Sequence, residues 1–453
     1  MKKNLWIWAI AALSMAACTS EDTPAPQVTD NDWISPDGRV VVQLGAESTA
    51  SVSVSRAPIE GTNITVLKDL GIFALDRDAT FDNNILTNWV NNNDCLLMNV
   101  KAEGADAGGN TPIDPLDPAV NTGKKISLYK SDGTGSAGAV YYYPMQGAYK
   151  YDFYGYQPRE GSTVSVSQGK MQVTMTLDGA KDLITGIHNA QDAQYKGIAT
   201  PVSETDLYDT EATDTEGPKK PATGETLQGF NAKYIRTIKY HNWIIDEYTD
   251  ADLSAEKKPF VPKLEFVHRL TKLNFQIITA KKQSGPEDGT TGDQGDDRNE
   301  AAQLCVKEVK LVNVPTNATL TLEPAMTLTF AGSESLNMQV LENAAVWDNG
   351  KIIPQVYTEN GSYESAGYLM VPATADITTA YQISLVVIAK NESGEPTEQT
   401  VTLDLKDSEN NPITFLAGMS YNIQIALYAQ QEVQVSATLT DWVPGSDVYV
   451  PVE

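Results

Sequence analysis

The chain is written almost throughout in short alternating runs of Val, Ile, Thr and Tyr, punctuated by Gly, Asn, Asp and Pro, and this pattern favours β-structure nearly everywhere. Strands are expected within 39–44, 51–55, 66–75, 164–177, 264–278 and 306–314, and again within 368–371, 381–389, 401–405 and 421–427. Helical spacings of three and four are scarce. Alternation of this kind fits antiparallel β-sandwiches, in which one face of a sheet meets the core and the other meets water. With 453 residues the chain exceeds one ordinary domain, and two or three are expected.

Three polar stretches interrupt the strands, at 103–125, 203–229 and 281–300. None carries enough apolar surface to offset the entropy of ordering it, so they read as surface loops or insertions. A domain boundary is expected between about Asn231 and Pro262 and is set at 245/246, which gives an N-terminal sandwich over 37–245 and a C-terminal one over 246–453.

Acids outnumber bases by 59 to 33, for a formal charge of −26. Such a chain repels a phosphate backbone, and nucleic acid is set aside as a partner. Three His and three Cys leave few ligands for a transition metal and few nucleophiles or bases for catalysis. No HExxH, CxxC, G-x-S-x-G elbow or phosphate-binding Gly loop occurs. The chain is therefore read as a non-enzyme with no cofactor and no metal. Asp293, Asp296 and Asp297 lack the spacing of a calcium loop and read as a solvated acidic turn. Cys95 and Cys305 are expected to be free buried thiols, and His268, between Phe266 and Leu270, a satisfied core or edge residue.

At the N-terminus Lys2 and Lys3 precede an apolar stretch at 5–13 and then Ser14-Met15-Ala16-Ala17-Cys18. This is too short to span a bilayer and reads as a secretory signal over 1–17. Cys18 after two Ala resembles the acylated cysteine of a bacterial lipoprotein, although Met15 stands where Leu or Val is usual. Two or three acyl chains at about 0.8 kcal/mol per buried methylene would anchor the chain stably in a membrane. The following Thr19-Ser20-Glu21-Asp22 resembles the acidic export signal that Bacteroidetes lipoproteins use to reach the outer face of the outer membrane. Residues 18–36, rich in Pro, Asp and Asn, read as a tether.

Several segments, in order along nearly the whole chain, resemble the fimbrillin-like family of Bacteroidetes. They are Ser55-Arg56-Ala57, Leu70-Gly71-Ile72-Phe73-Ala74-Leu75, Tyr143-Pro144-Met145-Gln146-Gly147, Tyr151-Asp152-Phe153-Tyr154-Gly155-Tyr156-Gln157-Pro158 and Lys181-Asp182-Leu183-Ile184. In the second half they are the run from Leu264-Glu265-Phe266 to Leu273-Asn274-Phe275, Tyr368-Leu369-Met370-Val371-Pro372, Leu416-Ala417-Gly418-Met419-Ser420-Tyr421 and Thr440-Asp441-Trp442. The resemblance implies two tandem transthyretin-like β-sandwich domains. Read for packing alone, Tyr151, Phe153 and Tyr156, with Tyr141 to Tyr143, are a large aromatic contribution to a sheet core.

The resemblance also implies a pilus subunit or tip adhesin, exported as a lipid-anchored precursor. An arginine-specific protease removes the first strand, and a strand from a neighbouring subunit fills the groove, which is β-augmentation. Its partners would be other pilus subunits, the protease, the outer membrane through Cys18, and host or bacterial surface ligands. Two arginines suit the cut. Arg56 is preferred, since cleavage there releases the strand-like text at 40–44 and 52–54 together with the lipid; Pro58 two positions on hinders some proteases, and Arg39 follows an accessible Pro36-Asp37-Gly38 turn. The donated strand is open between Val433, Val435, Ala437 and Leu439 in one alternating segment and Val448 and Val450 in another. The competing class is a surface glycan-binding lipoprotein with Trp33, Trp89, Trp243, Trp347 and Trp442 as platform candidates, Trp89 and Trp347 above all.

Overall fold

The computed structural model describes residues 35, 39–47, 67–106, 124–131, 133, 135–145, 149–188, 195–198, 230–232, 243–245, 262–279, 304–341, 346–358, 361–377, 379–390, 395–405, 412–427 and 433–440. Within them the architecture is all-β, with one α-helical turn, α1 (Ile85–Asn88). The first half supplies β1 (Gly45–Glu47), β2 (Leu70–Asp76), β3 (Cys95–Asp106), β4 (Lys124–Leu128), β5 (Tyr151–Gln157), β6 (Thr163–Ser167), β7 (Lys170–Thr176), β8 (Ile184–His188), β9 (Tyr195–Ile198) and β10 (Trp243–Ile245). The second supplies β11 (Lys263–His268), β12 (Leu270–Thr279), β13 (Cys305–Val314), β14 (Asn317–Thr321), β15 (Thr327–Ala331), β16 (Glu334–Asn337), β17 (Gln339–Val340), β18 (Trp347–Asp348), β19 (Lys351–Ile352), β20 (Gly367–Pro372), β21 (Gln382–Lys390), β22 (Pro396–Asp404), β23 (Ser420–Leu427) and β24 (Val433–Thr440).

Seven strands close into a barrel in the order β1-β11-β8-β5-β2-β3-β4. Its interior holds the aromatic side chains read from the sequence: Tyr143, Tyr151 and Phe153 are buried and meet Phe230, with the Phe153 and Phe230 ring centroids 5.8 Å apart. Each such ring contributes about 2–3 kcal/mol on burial. Tyr156 does not share this face. Strand alternation turns it, with Tyr154, to the outside of the barrel, where both are covered by a second layer. The position inside the barrel between Tyr154 and Tyr156 is Gly155, paired across the sheet with Gly186. A Cβ on Gly186 would lie 2.8 Å from Phe266 Cδ1, so the paired glycines make room for that ring.

The second layer is a four-stranded antiparallel sheet, β15-β14-β7-β6, and it is drawn from both halves of the chain. The expected run at 164–177 is broken into the β6–β7 hairpin by Gln168 and Gly169, whose φ angles of 51° and 76° give the two left-handed residues that a tight hairpin turn needs. Met171, Val173 and Met175 on β7 and Ala318 and Leu320 on β14 pack onto Phe73, Leu75, Tyr154 and Tyr156 of the barrel. This is why β2 and β5 are buried on both faces.

The remaining strands form a sandwich. One sheet runs β17-β20-β12-β23-β24 and the other β18-β19-β13-β21-β22, with β16 also on β13. Leu273, Phe275, Ile277, Leu311, Leu385, Ile423 and Ile425 fill the space between them. The expected strand at 264–278 is two strands in different bodies: β11 belongs to the barrel and β12 to the sandwich, with the break at Arg269. There the Arg269 N–H donates to Leu183 O at 2.7 Å, its Nε donates to Thr185 Oγ1, and His268 Nδ1 meets the Asp182 carboxylate. Burial pushes the Asp182 carboxyl above the usual carboxylate range, opposed by His268. The loop between β7 and β8 is tied to the sandwich by Met370 N–H to Gly179 O at 2.8 Å, and Leu177 N–H to Thr316 O at 2.7 Å extends the β7–β14 pairing of the second layer. Relative to the 245/246 division, the barrel takes β11 and the second layer takes the β14–β15 hairpin from beyond it.

Candidate functional site

The segment that closes the barrel is also the one bracketed by the two candidate arginines. Residues 40–44 run as extended chain into β1, and Val40, Val42 and Leu44 are buried against the barrel core with 0%, 6% and 4% of their surface exposed. The two-residue spacing of extended chain puts these three on one face, while Val41 between them is buried outside that core cluster. Outside the β1 ladder, their backbone hydrogen bonds among the described residues are divided between neighbours: Val42 N–H to Tyr141 O at 2.8 Å, Tyr143 N–H to Val40 O at 2.9 Å, Ile126 N–H to Leu44 O at 3.0 Å and Gly45 N–H to Pro262 O at 2.8 Å. β1 pairs parallel with β11 and antiparallel with β4 through Gly45↔Lys125. Taking this segment out would leave β4 and β11 as two facing edges over an uncovered apolar slot.

Arg39 stands at the mouth of the slot, exposed, with its guanidinium carbon 3.9 Å from the centre of the Tyr142 ring, a cation–π contact. It precedes the plugging residues. Arg56 follows them and lies outside the described residues, as do Cys18, Val448 and Val450. Val433, Val435, Ala437 and Leu439 lie on β24, whose backbone pairs antiparallel with β23 over eight positions from Leu427↔Val433 to Ser420↔Thr440. At those register positions they stand opposite Leu427, Ile425, Ile423 and Tyr421. β24 is the outermost strand of its sheet.

The other side chains raised by the sequence fall into structural roles. Trp89 is half-buried against the barrel core, and Trp347 packs on the sandwich core while its Nε1–H donates to Ala366 O at 2.8 Å, so neither is a bare platform. Trp33 and Trp442 lie outside the described residues, and Trp243 is on β10, whose backbone pairs with β9. Cys95 is a free thiol raised well above its ordinary pKa by burial, and Cys305 is free and half-buried. Asp293, Asp296 and Asp297 lie outside the described residues, and no group of three metal-ligating side chains occurs among those described. No helix among the described residues is long and apolar enough to cross a membrane.

Sequence reasoning missed a polar pair that joins the end of β2 to β5. Arg77 donates to Asp152 through both Nε, at 2.8 Å, and Nη2, at 2.6 Å. Nearby, Glu323 Oε2 accepts from the Met171 N–H at 2.9 Å, tying the β14–β15 turn to β7. Burial is the largest cause that pushes the Glu323 carboxyl up to about 7, with Asp152 adding to it. The only forewarning is the shared Thr-x-Thr rhythm of Thr174-Met175-Thr176, Thr319-Leu320-Thr321 and Thr327-Leu328-Thr329, which marks three strands of one sheet.

Residues 249–442 match the family described as fimbrillin-like. This region is similar to that family. It holds β11 to β24 and so includes the barrel strand that receives β1 and the hairpin that completes the second layer. No curated protein matches the chain. Among solved structures it is similar to a fimbrial protein from Bacteroides vulgatus, with 10% identity over 89% of this chain and 99% of that one and a TM-score of 0.40. It is also similar to a protein described as a candidate for cell adhesion from Bacteroides uniformis, with 16% identity over 90% of this chain and 100% of that one and a TM-score of 0.39. A candidate adhesin from Bacteroides ovatus shows 8% identity over 93% and 98%, with a TM-score of 0.35.

Proposed function

We propose that the chain is a cell-surface fimbrial subunit or tip adhesin that is exported as a lipoprotein through Cys18 and assembled by strand exchange once its first strand is cut away. It works by assembly and adhesion, without catalysis. Its partners are further pilus subunits, an arginine-specific protease and the outer membrane. The observation that carries this reading is the plug: Val40, Val42 and Leu44 fill a slot between β4 and β11 and are held by a handful of backbone hydrogen bonds. A strand with that burial and so few bonds is replaceable by another alternating strand, because the slot asks only for backbone donors and acceptors and three apolar side chains.

The same geometry separates the two arginines. A cut after Arg39 leaves residues 40–47 in the barrel, whereas a cut after Arg56 frees them, which supports Arg56 as the activating site. The test is N-terminal sequencing of surface-released protein together with electrophoresis without boiling. The expected result is a new N-terminus at Ala57 and a ladder of heat-resistant oligomers, both absent in Arg56→Ala. A lipidated, uncut chain inside the assembled fibre would overturn the exchange mechanism.

A further inference from the structure

The second layer ends in two strand edges that no other described residue pairs with: β6 at one side and β15 at the other. Exposed edges of natural sheets are ordinarily guarded by charge, Pro or a bulge. The long edge strand β22 follows that rule. It begins with Pro396, carries Glu398 in an ion pair with Lys307 at 2.6 Å, and ends in Asp404. β6 reads Thr-Val-Ser-Val-Ser and β15 reads Thr-Leu-Thr-Phe-Ala, with no charge and no Pro in either.

The two unguarded edges match each other. Each is five residues long. Toward the barrel each presents two half-buried apolar side chains, Val164 and Val166 on one and Leu328 and Phe330 on the other, all packed at the margin of the same cluster. On the opposite face the register sets Thr163, Thr174, Thr319 and Thr329 in one row across all four strands. Because the four strands alternate in direction, β6 and β15 run antiparallel to each other. A second molecule in the same orientation therefore offers its β6 antiparallel to β15 of the first.

We propose that β15 of one copy pairs with β6 of the next, extending the second layer from molecule to molecule. In register, Ser165 stands opposite Thr329, and Val164 and Val166 cover Leu328 and Phe330. The pairing is head-to-tail, so it is open and builds rows of molecules rather than closed dimers. It goes beyond the strand-exchange reading, since it uses neither the plug nor any cleavage.

The test uses the uncut chain. Sedimentation velocity over rising concentration is expected to show species larger than a dimer. Ser165→Lys and Thr329→Lys, each on the solvent side of its strand, should each weaken association by about tenfold or more with unchanged circular dichroism. A chain carrying Ser165→Cys mixed with one carrying Thr329→Cys should form a mixed disulfide above the background given by Cys95 and Cys305. A monomer at every concentration, association indifferent to both lysines, or a disulfide between two Thr329→Cys chains in place of the mixed one would overturn the proposal.

Discussion

The barrel and the sandwich are closed by strands whose pairing differs in extent, three positions for β1 on β11 and eight for β24 on β23. At the N-terminal side the barrel is completed by residues 40–47, which pair with β11 over the three positions of β1, share a few further hydrogen bonds with Tyr141, Tyr143, Ile126 and Pro262, and bury Val40, Val42 and Leu44 in the barrel core. At the C-terminal side the sandwich is completed by β24, paired with β23 over eight consecutive positions. A strand held chiefly by side chains in a slot can be exchanged for another with the same alternation, while one held by a long ladder is bound to its own register. Under the proposed strand exchange, the difference favours the barrel closure as the one that is exchanged.

The sharpest way to break that contrast is to remove the plug. Burial of Val40, Val42 and Leu44 stabilises the barrel by on the order of 5 kcal/mol, comparable to the whole stability of an ordinary domain. A chain starting at Ala57 is therefore expected to lose cooperative melting of the barrel, followed by tyrosine fluorescence, and to regain it when a peptide spanning 39–47 is added. The contrast fails if the truncated chain melts like the intact one, or if the peptide restores nothing.

Much of this was legible in the sequence, and what escaped it shares one cause. Alternation located β2, β13, β20, β21 and β23, the segment at 40–44 and the aromatic cluster of Tyr151 and Phe153, because these depend on period and composition alone, but it passed over β8, β14 and β15 and read as a loop the stretch 103–125 into which β3 and β4 both extend. It could not show that β11 and β12 part at Arg269, nor that β14 and β15 lie on β7, because pairing partners distant in sequence leave no local mark. Tyr156 was grouped with Tyr151 and Phe153 when an odd spacing already turns it to the other face.

The shared layer makes its own prediction, of intermediate size. Leu320 belongs to the second half of the sequence but is fully buried among Phe73, Tyr154 and Val173 of the first. Leu320→Ala is expected to cost about 2–5 kcal/mol. Hydrogen exchange should show the loss in β2 and β5 as well as in β14. Loosening confined to β13 to β24 would mean that barrel and sandwich are independent bodies, and that the plug is the barrel's concern alone.

The smallest effect is a dependence on pH at the join. Glu323 lies at the β14–β15 turn, accepts the Met171 N–H, and feels the charges of Lys170 on β7 and of Asp152 on the barrel strand β5. Its carboxyl is pushed up to about 7, chiefly by burial, from the ordinary value of 4.5 in the unfolded chain. Between those two values the folded protein holds a proton that the unfolded chain releases. Raising the pH through this window therefore favours unfolding, and ionised Glu323 weakens the seating of the hairpin. The melting temperature is expected to fall by a few degrees from about pH 5 to about pH 8, as far as this group sets it. Glu323→Gln, which keeps the acceptor oxygen for Met171 and cannot ionise, should flatten that slope while leaving the stability near pH 5 almost unchanged. A slope that survives the substitution would place the titrating group elsewhere and leave the hairpin's attachment to apolar packing around Leu320 and Val173.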